Sequence, residues 1–137
     1  MQPTVFIVED NRDIHENLVE ALEELTPVRV VGGAATEEAA IAWLAASDGW
    51  DILIVDLFLS GGSGLHVVQH VRRTHAGQKI VVFSNYVNAN VRKRCAQLGV
   101  DAVFDKSTEI DAMVDYCAQG WAPPPSPGQP AGRLARS

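Results

Sequence analysis

Apolar residues fall along this chain in two alternating rhythms. Five short runs are rich in β-branched or apolar residues: "TVFIV" at 4–8, "VRVVGG" at 28–33, "ILIV" at 52–55, "KIVVFS" at 79–84 and "DAVFD" at 101–105. Most of them lack the polar alternation of a half-exposed strand, so they predict strands covered on both faces, as in a parallel sheet. The segments between them step at helical spacing. Ile14, Leu18, Leu22 and Leu25 advance by four, four and three, and Val87, Val91, Cys95 and Leu98 do the same; Ile110, Met113, Val114 and Cys117 make a last stripe. Residues 36–47 set Glu37 and Glu38 in a first turn, where carboxylates suit the helix dipole, behind Thr36 as an N-cap. Strand and helix thus alternate five times, a (βα)5 pattern that predicts a doubly wound α/β sheet with right-handed crossovers.

After Trp121 the rhythm stops. The segment "PPPSPGQPAGRLARS" has five prolines and no periodic apolar residues, which predicts a folded domain over 1–122 and a flexible or polyproline-like tail over 123–137. The 137 residues suffice for one core, and a net charge of -6 argues against a nucleic-acid surface, which needs a basic face. That charge suits protein partners or a bound cation. Cys95 and Cys117 form neither a disulfide framework nor a zinc spacing and fall at core positions of helices, so buried free thiols are expected. The opening "MQPTVFIVED" lacks the basic start of a signal peptide, and no apolar run approaches the roughly 20 residues of a membrane helix. A cytoplasmic protein without membrane or direct nucleic-acid contact is the expectation.

In such sheets ligands gather at the carboxyl ends of the strands. There the sequence places Glu9 and Asp10 after the first run, Asp56 after the third, Ser84 at the end of the fourth, and Asp105 and Lys106 at the fifth. Carboxylates converging on one crevice repel each other without a cation, and clustered oxygen ligands suit Mg²⁺, which takes few protein ligands and keeps several waters. Lys106 offers a compact positive charge and Ser84 a hydroxyl donor. Together they can accept a phosphoryl group on a carboxylate nucleophile. Metal binding by the acid cluster without covalent chemistry is the alternative. Each signal alone has a plainer reading, since an aspartate at a strand end is often a turn former or N-cap.

With "VFIVEDN", "DILIVDLFLSGGSGL", "VVFSNY" and "GVDAVFDKS" at these spacings, the chain resembles the receiver domains of bacterial two-component response regulators over residues 3 to 120. The resemblance implies a flavodoxin-like five-stranded sheet of order 2-1-3-4-5. It makes Asp56 the phosphorylated aspartate, fed by a histidine kinase or phosphotransfer protein. Asp10 would bind Mg²⁺ directly, Glu9 would help through water, and the backbone carbonyl of Phe58 would be a further ligand. Lys106 would pair with phosphoryl oxygens and Ser84 would hydrogen-bond one of them. Such a domain acts as a signalling module rather than as an enzyme on an outside substrate. It would switch binding to a downstream protein, form a phosphorylation-dependent homodimer, or pass the phosphoryl group on.

The chain also departs from the family pattern. Where the family carries a switching aromatic three residues before the lysine, this chain has Val103, and neighbouring Phe104 points to the opposite face unless a bulge re-aims it. Ser107 replaces the usual proline that follows the lysine through a cis peptide, which leaves the Lys106–Ser107 isomer open; Ser107 or Thr108 can instead cap the last helix. Gly61, Gly62 and Gly64 permit positive φ in a tight path, and Ser63 can cap a helix starting near Leu65. Phe58 and Tyr86, each two residues beyond a site residue, can shield phosphorus from water and slow self-dephosphorylation, or lie flat on the surface. Arg92, Lys93 and Arg94 lie in a region the family uses to meet partners, with a solvated face as the plainer reading. His66 and His70 share a helix face but lack a third ligand. A competing reading is the receiver portion of a longer DNA-binding regulator or hybrid kinase, divided at the proline-rich segment. A small Mg²⁺-dependent aspartyl phosphatase fits less well, because its usual second aspartate would stand at 58, which is Phe.

Overall fold

A computed structural model describes residues 2–47 and 49–119; the tail expected over 123–137 lies outside them. In chain order the elements are β1 (Thr4–Val8), α1 (Arg12–Leu25), β2 (Arg29–Ala34), α2 (Glu37–Ala46), β3 (Ile52–Val55), β4 (Phe58–Leu59) and β5 (Gly62–Ser63). They continue with α3 (Gly64–Gln69), β6 (Lys79–Ser84), α4 (Ala89–Gln97), β7 (Ala102–Asp105) and α5 (Ile110–Gln119). The long strands form one parallel sheet of order β2-β1-β3-β6-β7. β4 and β5 make a separate antiparallel ribbon. Setting that ribbon aside leaves the order 2-1-3-4-5 of a flavodoxin-like α/β fold.

The two-residue period of the strands sorts the core into two layers. Phe6, Val8, Leu53, Val55 and Val82 face α2, α3 and α4, where they meet Ala40, Val67, Val68 and Cys95. Val5, Ile7, Ile54, Val81 and Phe83 face α1 and α5, meeting Leu18, Leu22, Met113, Val114 and Cys117. With both faces covered, β1, β3 and β6 can be apolar almost throughout, and each buried Val, Leu or Ile contributes about 1.5–3 kcal/mol relative to exposure. Trp43 of α2 stacks on Phe6 of β1, with centroids 3.8 Å apart and planes 10° from parallel. Both cysteines are buried free thiols.

Helix starts follow local side-chain chemistry. Asn11, Thr36, Ser63 and Asn88 accept from the backbone N–H of Ile14, Ala39, Leu65 and Val91, satisfying donors that the first turn leaves unpaired. The helical stripes overreach at their ends. Leu25 is 69% exposed because α1 stops there, where the Thr26 hydroxyl donates to the Leu22 carbonyl. Val87 precedes the Asn88 cap and so belongs to the loop before α4, and Ile110 opens α5 partly exposed. Among the described residues no helix is long and apolar enough to cross a membrane.

Candidate functional site

The strand ladder carries the site residues into place by continuing one step beyond the strands. Glu9 N–H donates to the Ala34 carbonyl at 3.0 Å, Asp56 N–H to Val8 at 2.9 Å, and Lys106 N–H to Ser84 at 2.9 Å. The sheet therefore fixes the backbones of Glu9, Asp56 and Lys106, and their side chains meet above its carboxyl edge. Lys106 Nζ donates to Glu9 Oε1 and to Asp56 Oδ2, each at 2.7 Å. Ser84 Oγ donates to Asp56 Oδ1 at 2.7 Å and accepts from Leu57 N–H at 3.3 Å. Phe58 N–H donates to the same Asp56 oxygen at 3.1 Å. Asp10 stands at the rim, its Oδ2 accepting from Ser60 N–H at 2.7 Å. Four of the six residues expected at the site, Glu9, Asp56, Ser84 and Lys106, are thus joined through side chains; Phe58 joins them through its backbone N–H, and Asp10 stands beside them, held by Ser60.

Glu9, Asp56 and Ser84 are buried, and ionised groups tolerate burial only when paired and hydrogen-bonded. Three carboxylates around one ammonium still leave negative charge in excess. Burial pushes the Glu9 carboxyl up despite the bonds from Lys106 and Asn11. Burial would also lower the Lys106 ammonium, but Asp56 and Glu9 outweigh it and raise the group above its ordinary value. At Asp10 burial pushes the carboxyl up, but hydrogen bonds from Ser60, with smaller help from Glu9 and its own backbone, together outweigh it, so that carboxyl lies below its ordinary value.

Carboxylate oxygens of Glu9, Asp10 and Asp56 lie within 4.8 Å of one another. They border a cleft of about 480 Å³ that also reaches Asn85 and Tyr86. Hard oxygen donors, excess negative charge and open space for water together fit Mg²⁺. At the mouth, Phe58 and Tyr86 are 57% and 82% exposed and meet edge to face with centroids 6.3 Å apart. They do not lie separately on the surface. Tyr86 holds a left-handed backbone, φ 59°, a conformation that costs a non-glycine residue roughly 1–3 kcal/mol and clusters at functional sites.

Some local expectations change. Of Gly61, Gly62 and Gly64, only Gly62 has positive φ. Gly64 is needed for close approach instead: a Cβ there would sit 2.1 Å from the Asp56 carbonyl oxygen. Gly61 is similarly tight, with a Cβ falling 2.9 Å from Thr36 Cγ2. The Lys106–Ser107 peptide is trans. Ser107 does not cap α5; its hydroxyl and N–H both donate to Asp105, which lowers that carboxyl. The register of β6 and β7 runs without a bulge from Val81↔Ala102 to Ser84↔Asp105. Phe104 accordingly faces α5 and its Tyr116, while Val103 faces the α4 side. Arg92 is not simply solvated: its guanidinium donates to the Val103 carbonyl at 3.0 Å and reaches Glu109 at 3.4 Å. His66 bonds Glu37 and His70 bonds the His66 carbonyl, so these two rings form no shared site.

Two contributors escaped the sequence reading. Ser60 acts through its backbone, which carries no residue-type signal. Asn85 lines the cleft from a loop, and its place directly after Ser84 was the available cue.

Comparisons with known proteins agree with this geometry. The sequence profile of the family described as "Response regulator receiver domain" matches residues 5–118. The response regulator UvrY of Escherichia coli K12 is 24% identical over 110 residues, covering 80% of this chain and 50% of UvrY. The chain thus spans about half the length of that relative. The receiver domain of a LuxO repressor protein from Vibrio parahaemolyticus has a similar structure, with TM-score 0.75 and 18% identity over 88% of this chain and 90% of that one. The phosphorylated cyanobacterial phytochrome response regulator RcpA superimposes with TM-score 0.70 and 25% identity, covering 85% of this chain and 89% of its own.

Proposed function

This chain belongs to the response regulator receiver domain family, and on that basis we propose that it accepts a phosphoryl group on Asp56 from a histidine kinase or phosphotransfer protein. The observation that carries the reading is the meeting of Lys106, Ser84 and the acid pair on Asp56, each side chain delivered by a different strand end. An Asp56 carboxylate oxygen would attack phosphorus as the phosphorus–nitrogen bond to the donor histidine breaks. The imidazole leaves with the bonding pair and takes up a proton. Lys106, already midway between Glu9 and Asp56, would pair with the incoming phosphoryl oxygens. Ser84 has one hydroxyl proton, and giving it to a phosphoryl oxygen would draw the loop after β6 inward.

Glu9, Asp10, Asp56 and the Phe58 carbonyl would hold Mg²⁺, which when bound neutralises phosphoryl charge. The Phe58–Tyr86 ring pair narrows the approach of water to phosphorus, so a phosphoryl lifetime of minutes or longer is expected. The modified chain would then bind a downstream protein, pair with its own copy, or pass the group onward.

Intact mass after incubation with phosphoramidate tests this directly, with and without Mg²⁺ and beside Asp56→Asn. The expected result is a Mg²⁺-dependent gain of one phosphoryl group that the variant lacks. A gain that survives in Asp56→Asn would overturn the assignment of the acceptor. Because the chain spans half of UvrY, a second reading is the receiver portion of a longer regulator whose output lies elsewhere.

A further inference from the structure

The ribbon of β4 and β5 has two residues in each strand, too short to hold a shape unaided. Yet it sets the position of Ser60, whose N–H orients Asp10, and it begins at Phe58, whose N–H binds Asp56. Something outside the ribbon must fix it, and the start of α2 does so. Thr36 bridges to Gly61, and Glu37 N–H donates to the Gly61 carbonyl at 3.0 Å. The Glu37 carboxylate returns over the turn: its Oε1 accepts from Ser63 N–H at 2.9 Å and meets His66 Nδ1 at 3.2 Å. Gly62 passes so close beneath this side chain that a Cβ there would lie 2.4 Å from Glu37 Cβ.

We propose that Glu37 is a positioning residue for the metal side of the phosphoacceptor site, acting through the ribbon on Asp10. The chain of contacts runs from the Glu37 carboxylate to Ser63 N–H, across the Phe58↔Ser63 and Leu59↔Gly62 pairs to β4, on to Ser60 directly after it, and from Ser60 N–H to the Asp10 carboxylate. Glu37 touches neither Asp56 nor the metal-binding oxygens in this path. Its effect therefore falls on how well Asp10 is preorganised, in the way that outer-shell partners orient metal ligands. This inference rests on the receiver function proposed above and adds to it a residue from α2, outside the strand ends that supply the side chains of the site.

The test uses the full chain as wild type, Glu37→Ala and Glu37→Gln. Magnesium ion alone is titrated into each by calorimetry, and phosphorylation by phosphoramidate is followed against Mg²⁺ concentration. Glu37→Ala is expected to raise the Mg²⁺ dissociation constant and the half-saturating Mg²⁺ concentration about tenfold, with a near-normal rate at saturation. Glu37→Gln keeps an acceptor for Ser63 N–H and is expected to stay within about threefold of wild type. Unchanged Mg²⁺ affinity in Glu37→Ala overturns the proposal, as does a loss in Glu37→Gln equal to that in Glu37→Ala. A wild type that neither binds Mg²⁺ nor takes a phosphoryl group on Asp56 overturns the receiver reading itself, a result distinct from either.

Discussion

Residues 57–63, which follow Asp56, and residues 85–88, which follow Ser84, border the same cleft but are held very differently. The first segment pairs with itself as a ribbon and bridges to Thr36. It also donates to Glu37 and Asp10 and returns to the Leu57 carbonyl through Gly64 N–H at 3.0 Å. Within it a Cβ at Gly61 or Gly62 would come within 3.0 Å of Thr36 or Glu37, and just beyond it one at Gly64 would meet the Asp56 backbone. In the second, Asn85 and Tyr86 are exposed, Tyr86 sits at φ 59°, and order returns with the Asn88 cap. Holding an ion and reporting a chemical change make opposite demands on a backbone. Ligands bind best when held in advance, whereas a segment that must move belongs to the less stable end of a fold. On the function proposed, this site would separate the two demands, one loop for each.

The largest break in that contrast should come from Gly64→Ala. Its methyl would collide with the Asp56 and Leu57 backbone, which cannot swing aside, so a loss of about 3 kcal/mol is expected in urea unfolding, with impaired phosphorylation. Tyr86→Gly on the other loop should change stability by less than about 0.5 kcal/mol, because relief of the left-handed backbone is offset by greater freedom in the unfolded chain. The same change should shorten the phosphoryl lifetime several-fold, measured by loss of the mass adduct, since half of the ring pair is gone. Equal destabilisation by the two substitutions would mean that the loops do not differ.

The smallest effect is a matter of pH. The bond from Ser63 N–H, with help from His66, holds the Glu37 carboxyl below its ordinary value of 4.5. The folded state thus favours the ionised form, so this contribution is present above that value and fades as pH falls through the lower folded value. Amide shifts of Ser63 should follow a titration with its midpoint below 4.5, while those of Asn85 and Tyr86 should not share it.

The strand ends were legible because each site residue stands at the end of an apolar run or within two residues of it, and a parallel sheet brings such ends together whatever the helices do. Ser63 and Thr36 were legible as caps for a similar reason, since their partners lie two and three residues away. What the pattern could not reveal was contact between distant segments. Glu37 looks like an ordinary first-turn acid, and its bond to Ser63 spans 26 positions. The glycines pointed to a tight turn but not to its cause, because close approach at Gly64 depends on where residues 56 and 57 are folded, not on its own φ. Leu25 was misleading in the opposite sense: it keeps helical step where the helix has run out of neighbours to cover it.

The hydrogen bonding of the resting pocket has a consequence for how a signal begins. Asp56 already engages an ammonium, a hydroxyl and a backbone N–H, and among the described residues no buried side-chain polar atom lacks a partner. Asp56, Lys106 and Ser84 all hold partners already, although the cleft beside them still has room for a cation. An arriving phosphoryl group would therefore work by competition, taking Lys106 and Ser84 from partners they hold well. The unphosphorylated state would then be a hydrogen-bonded arrangement in its own right, and the size of any response would be set by how much better the new partners are than the old.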